Sequence, residues 1–349
     1  MTVFLFYLVL ALRACSMLFA SPISQPLHGT PCKSIDHRKE WRDLTAKQRL
    51  DYIQAVLCFQ SLPPRNSSSR ATSRFEEFQE THIAVTGFVH FNVGQFLPWH
   101  RGLVTLYTNA LRNECGYNGP GTYWHWTRDI DSDLPMEQWQ IFDPNTGFGG
   151  DGVSGTYELP PDPLPDNIGS TNPPTADFLP REQCYKGCVQ DGPFANLTLH
   201  IGPGRLYTER CLVRGFDPSR RRQLSGPVIE GLMESRTFEE FRQGIDVTGT
   251  GIHTAGHALV GGEVSNLYSA GGDPLFYFHH GNLDRLWWLW QHADRERRLY
   301  DLSGPTDKND PTTKITFDFE LKYPGLAPSI KIRNVMDSLL EPNCFTYEP

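Results

Sequence analysis

Six histidines in two stretches carry the chemistry that this sequence can offer. In HIAVTGFVHFNVGQFLPWHR, residues 82–101, His82, His90 and His100 stand among phenylalanines, valines and a tryptophan, and Arg101 is the only formally charged side chain. In GIHTAGHALVGGEVSNLYSAGGDPLFYFHHGNLDRLWWLWQ, residues 251–291, His253 and His257 are four apart. On a helix that spacing stacks both imidazoles on one face, a standard way to offer two nitrogens to one metal. His280 follows on a later segment. Six neutral nitrogens, with no carboxylate or thiolate among them, suit copper or zinc rather than calcium or magnesium. A zinc hydrolase built on HTAGH is the first alternative, but its general base would be a glutamate directly after the first histidine, and Thr254 cannot serve.

Helices must position these side chains. The segment from His100 to Glu114 is helix-compatible: Leu103, Val104, Tyr107 and Leu111 continue the face that His100 begins, and Cys115-Gly116 ends it. His82 and His90 precede it on a shorter helix or loop. Asp273-Pro274 is a cap and first-turn signal, after which Leu275 to Gln291 has no breaker except Gly281. On that helix Phe276, His280, Asp284 and Trp287 share a face. Asp284 is placed to accept from a nearby imidazole N–H or to pair with a buried arginine. The spacing of Trp41, Leu44, Leu50, Tyr52, Ile53, Val56 and Leu57 predicts a surface helix pair over 38–60.

Residues 143–177, rich in Gly, Pro, Asp and Asn, predict a long surface excursion without regular elements. The chemical residues lie on both sides of it, so one domain is expected. Trp287, Trp288 and Trp290 read as core packing. His28, His37, His200 and His292 read as surface or structural groups, and Arg220-Arg221-Arg222 as a solvated loop.

Composition bounds the rest. At 349 residues, 39% hydrophobic and 12% aromatic, the chain can supply a sizeable core. Its formal charge of −8 argues against a nucleic-acid partner, whose phosphates ask for a basic patch. Residues 1–20 read as a secretory signal, with an apolar run from Val3 to Leu12 and cleavage near Ser16 or Ala20. That run reaches only half of the roughly 20 residues that cross a bilayer, so no stable membrane insertion is expected. Cleavage leaves Cys32, Cys58, Cys115, Cys184, Cys188, Cys211 and Cys344, an odd set in which most pair and one thiol is left over. Asn66 and Asn196 open glycosylation triplets in a secreted chain.

The strings His90-x5-Phe96-Leu97-Pro98-Trp99-His100-Arg101 and Asp273-Pro274-Leu275-Phe276-x3-His280-x3-Asp284 resemble the two copper signatures of the tyrosinase, catechol oxidase and haemocyanin superfamily. EWRDLTAKQRLDYIQAVLCF, ECGYNGP, CVQDGPFANLTLHIGPG and the closing CFTYEP extend the resemblance to short fungal tyrosinases, over nearly the whole mature chain. It implies a mainly α fold whose central four-helix bundle holds a coupled pair of coppers, with long irregular loops and few short strands. Residues 21–349 would form the catalytic domain, without a C-terminal lid domain.

Two copper ions would be the cofactors, one on His82, His90 and His100 and the other on His253, His257 and His280. His279 would stand behind the ligands, and Thr254, Ala258, Phe276 and Asp284 would line the substrate or support the site. The implied partners are O2 and a small phenolic substrate, which as a catechol would leave as an o-quinone; a tyrosine-containing peptide is a further candidate. A catalytically silent O2-binding relative is the alternative from outside the enzymes.

The sequence departs from the family pattern in four places. Thr108 stands where the first signature ends in Glu, and His125 where relatives read Asp, which predicts a distorted first site. No cysteine lies between Cys58 and Cys115, so the thioether that many fungal relatives form with the histidine at the position of His90 is absent. Thr254 follows His253 where many phenol-hydroxylating relatives carry Asn, which favours o-diphenol oxidation over monophenol hydroxylation.

Overall fold

Thr45 starts the first long helix: its hydroxyl accepts from Gln48 N while the Gln48 side chain returns to Thr45 N, a reciprocal cap that places α1 at Ala46–Ser61. The computed structural model describes residues 29–160, 184–247 and 251–348. The expected signal segment, Cys15, His28 and residues 161–183 of the expected excursion lie outside the described residues.

Three more long helices carry the histidines or pack beside them. Ser73 caps α2 (Arg74–Val89) by accepting from Glu76 N. α3 (Phe96–Cys115) begins four residues earlier than the sequence pattern implied, because Pro98 falls in the first turn, where no intrahelical N–H is needed. Gly116, at φ 67°, ends it with a left-handed cap. Shorter helices follow at α4 (Trp126–Ile130), α5 (Gly226–Met233), α6 (Phe238–Asp246) and α7 (Ile252–Val260). The last long helix, α8 (Leu275–Ala293), opens where Asp273 Oδ1 accepts from Leu275 N at 2.9 Å.

α3 packs along α8 and α2, α7 packs on α8, and α1 and α6 flank the outside. The result is the expected mainly α architecture around a four-helix bundle of α2, α3, α7 and α8, with few short strands. Its core is aromatic: Trp41, Trp99, Trp124, Trp126, Trp139, Trp287 and Trp290 are all buried.

Two expectations from local pattern need correction. No helix pair covers 38–60; Asp36–Glu40 is a strand and Trp41–Asp43 a 3-10 turn before α1. The reason is long-range: this strand lies between Phe345–Tyr347 and Thr122–Tyr123, parallel to both, and neither partner is visible in a local window. In the expected excursion, Gly152–Ser154 pairs antiparallel with Gly187–Val189, which pairs in turn with Val213–Arg214. The run Arg220-Arg221-Arg222 belongs to a 3-10 segment, where Arg221 donates to Ile130 O and Leu134 O and Arg220 pairs with Asp217.

Cys32–Cys344, Cys58–Cys115 and Cys188–Cys211 are disulfides, and among the described residues buried Cys184 is the cysteine outside them. Three such bonds are consistent with an oxidising compartment. No described helix is long and apolar enough to cross a membrane.

Candidate metal centre

The first three histidines converge because the chain turns sharply between two helices. His82 lies inside α2 and His90 caps its end in an extended conformation. Phe91 and Asn92 then adopt left-handed backbone angles, φ 69° and 63°. Asn tolerates that region and Phe does not readily, so the turn needs external support. It receives it from Lys308, whose ammonium lies 3.9 Å over the Phe91 ring, and from Arg242, which donates to Asn92 O and Oδ1 at 2.7 Å. α3 consequently folds back and brings His100 beside the others. One ring nitrogen from each of the three lies within 4.8 Å of the other two.

Hydrogen bonds fix which nitrogen is free. Nδ1 of His82 donates to Tyr268 O at 2.8 Å, Nδ1 of His90 to Thr86 O at 3.1 Å, and Nδ1 of His100 to Phe96 O at 2.8 Å. A carbonyl can only accept, so the proton sits on Nδ1 and the lone pair on Nε2. His82 Nε2 and His100 Nε2 are buried without any hydrogen-bond partner. A buried lone pair without a donor is costly, and a cation removes that cost.

The second group comes from α7 and α8. His253, His257, His279 and His280 each offer a nitrogen within 4.8 Å of the rest. His257 Nδ1 donates to Val264 O at 2.6 Å and His253 Nδ1 to Asp246 Oδ1 at 2.8 Å, which leaves their Nε2 atoms facing each other at 2.9 Å. Two facing lone pairs repel unless a proton or a cation lies between them.

His279 and His280 divide into different roles. His279 uses both nitrogens, Nε2 donating to His253 O at 3.0 Å and Nδ1 accepting from Trp126 Nε1 at 3.3 Å. It braces α7 instead of offering a free lone pair. Gly256 makes room for it, since a Cβ there would fall 2.2 Å from His279 Cε1. Neither nitrogen of His280 has a hydrogen-bond partner, so it is the one available to a metal.

The two groups face one another: His100 stacks on His280 with centroids 4.1 Å apart and planes 8° from parallel, and His90 lies 5.7 Å from His253. Phe276 packs against His82 at 5.0 Å and His280 at 4.4 Å, and Phe96 against His100 and His253 at 4.6 Å each. An all-imidazole donor set, buried in an apolar wall with orphaned Nε2 atoms, fits copper.

The other sequence-predicted residues fall in different places. Ala258 is buried in α7, whereas Thr254 is the residue of that helix that remains partly exposed. Asp284 realises the arginine option: Oδ1 accepts from Arg101 Nε at 2.5 Å, and Oδ2 from Arg38 at 3.3 Å and Tyr347 OH at 2.6 Å. It ties α8 to α3 and to both terminal strands. Thr108 donates to Val104 O within its own helix, and His125 lies among Arg285, Arg128 and Arg42. His82, His90 and His100 converge despite both departures. Asp246 and Trp126 went unrecognised in the sequence, and Phe96 was read there only as part of the first signature, not as a wall of both groups.

Burial sets the protonation of the groups. It pushes His82 from 6.5 down to about 4, and it drives His90, His100, His257 and His280 well below their ordinary range. The folded metal-free chain therefore keeps these imidazoles neutral where the unfolded chain already binds protons. The unfolded state gains protons first, so stability is intact above pH 6.5 and is lost as pH falls from there towards the folded values. His82 alone contributes a loss of roughly 3 kcal/mol between 6.5 and about 4. Urea unfolding of the metal-free protein across this range is expected to show at least that fall; an unchanged midpoint contradicts the buried neutral state.

A helical bundle with two facing groups of buried imidazoles has the architecture and donor chemistry of the type 3 copper oxidoreductases. The chain belongs to the tyrosinase family: a family model, the common central domain of tyrosinase, matches residues 72–293. Tyrosinase P from Aspergillus terreus is 31% identical over 95% of this chain and 98% of its own. An N-acetyl-6-hydroxytryptophan oxidase from Emericella nidulans is 33% identical, over 89% of this chain and 92% of its own. A solved polyphenol oxidase from Thermothelomyces thermophila, 29% identical, superposes with a TM-score of 0.75 over 90% of this chain and 89% of that one. The chain is accordingly a type 3 copper oxidase, a family that implies a dicopper centre, phenolic substrates and O2. Neither the zinc hydrolase nor the silent O2 carrier is favoured.

Proposed function

We propose that the protein uses O2 to oxidise small o-diphenols to o-quinones, two diphenols being consumed and two waters formed per O2. One copper is held by Nε2 of His82, His90 and His100, the other by His253, His257 and His280. The observation that carries this reading is the pair of facing groups in which Nδ1–H bonds hold five of the six rings and leave Nε2 as the lone pair. When bound, the copper pair supplies O2 binding and the acceptance of two electrons from the diphenol.

The chain's own residues set the conditions. The carbonyl and carboxylate acceptors orient the rings before metal arrives, so little reorganisation is left to binding. Phe96 and Phe276 wall the histidines and keep water from them. Thr254, directly after His253, is the partly exposed residue of α7 and carries a hydroxyl. That hydroxyl can accept or donate a hydrogen bond but is no base near neutral pH, which supports oxidation of diphenols over hydroxylation of monophenols. The three disulfides support a secretory route and residues 1–20 as its signal.

Oxygen uptake by the copper-loaded protein tests the reading. Catechol is expected to draw O2 at a 2:1 ratio with quinone absorbance rising in step, and a monophenol is expected to be at least tenfold slower. Equal rates on both, or no uptake with either, would contradict it.

A further inference from the structure

Asp246 stands apart among the groups behind the histidines. It ends α6, 6% exposed, and its two oxygens serve two different histidine neighbourhoods. Oδ1 accepts from His253 Nδ1 at 2.8 Å, and Oδ2 accepts from Asn92 N at 2.8 Å, two residues beyond His90. The Nδ1–H groups of His82, His90, His100 and His257 all go to neutral backbone carbonyls. His253 is paired with a carboxylate.

We infer that Asp246 is a positioning residue shared by the two metal groups, an assignment that rests on the ligand reading above. A carboxylate acceptor fixes the His253 ring with Nε2 turned to the second group and strengthens the hold of that group on a cation. The other oxygen holds Asn92 in its left-handed conformation, φ 63°, and so sets the turn that delivers His90 to the first group. Arg242 grips the same turn from the other side, through Asn92 O and Oδ1, and is itself paired with Glu239. Through this carboxylate each group is partly ordered by the contacts of the other, and the energetic linkage is reciprocal.

The test is a titration of the metal-free full chain with cobalt(II), whose visible absorption reports its coordination, in wild type, Asp246→Asn and Asp246→Glu. Unfolding of each metal-free protein is measured alongside as the control for a purely structural effect. Wild type is expected to take up two ions. Asp246→Asn keeps the size of the side chain but removes its charge and turns one of its two accepting oxygens into an NH2 donor, and both binding steps are expected to weaken by about 10- to 100-fold, with an altered cobalt spectrum. Asp246→Glu restores the charge and is expected to recover at least part of the affinity.

Wild-type affinity and spectrum in the Asn variant would overturn the inference, and so would a Glu variant as impaired as Asn, because charge would then not be what the site uses. Weakening confined to one step would overturn the shared role. A wild type that takes up fewer than two ions would overturn the ligand reading itself, and this inference with it.

Discussion

Replacing His100 by alanine is expected to reduce the copper content from two ions per chain to one and to abolish measurable diphenol oxidation. His100 sits in the first turns of a 20-residue helix, its Nδ1–H is spent on Phe96 O, and its Nε2 is buried without a partner. The ring also stacks on His280 of the opposite group. On the proposed assignment, removing it takes away a ligand and a wall of the neighbouring group together. The fall in turnover should exceed the roughly 100-fold that loss of an outer partner of a metal ligand typically costs. Metal analysis paired with catechol oxidation checks it. Two tightly held coppers in His100→Ala would show that this histidine is not a ligand.

The second large effect is on stability. Asp284→Ala leaves the guanidinium of Arg101, fully buried, without its carboxylate, and strips Arg38 and Tyr347 of the same acceptor. Arg101 keeps Val335 O, Met336 O and Gln291 Oε1 and lies 3.7 Å over the Trp287 ring, but none of these cancels its charge. Breaking a buried ion pair from one side costs about 3–5 kcal/mol. Urea unfolding of the metal-free variant should show a loss of that size, and a loss below about 1 kcal/mol would mean that α8, α3 and the two terminal strands are held together by something else.

Histidine spacing and the long amphipathic helices were legible in the sequence because both are local. His253 and His257 meet through the helical repeat alone, and α3 and α8 announce themselves by a continuous apolar face and by the caps at Gly116 and Asp273. Counting left one thiol over, and among the described residues the cysteine outside a disulfide is Cys184. Contacts between distant segments were not legible. Asp36–Glu40 is a strand because residues 345–347 and 122–123 lie beside it, and Asp284 pairs with Arg38 across 246 positions. Asp246 was hidden for a similar reason: its bond to Asn92 spans 154 positions and depends on a left-handed turn that no local preference of Phe91 would propose. The choice between His279 and His280 rested on motif position until the fold showed which ring has both nitrogens engaged.

The measurement closest to the central claim is the copper content of the purified, reconstituted protein, followed by catechol-dependent O2 consumption on the same sample. Two coppers per chain, with activity rising only as the second ion binds, is the predicted result. One copper per chain, zinc in place of copper, or full activity with a single ion would contradict a paired site built from His82, His90, His100, His253, His257 and His280.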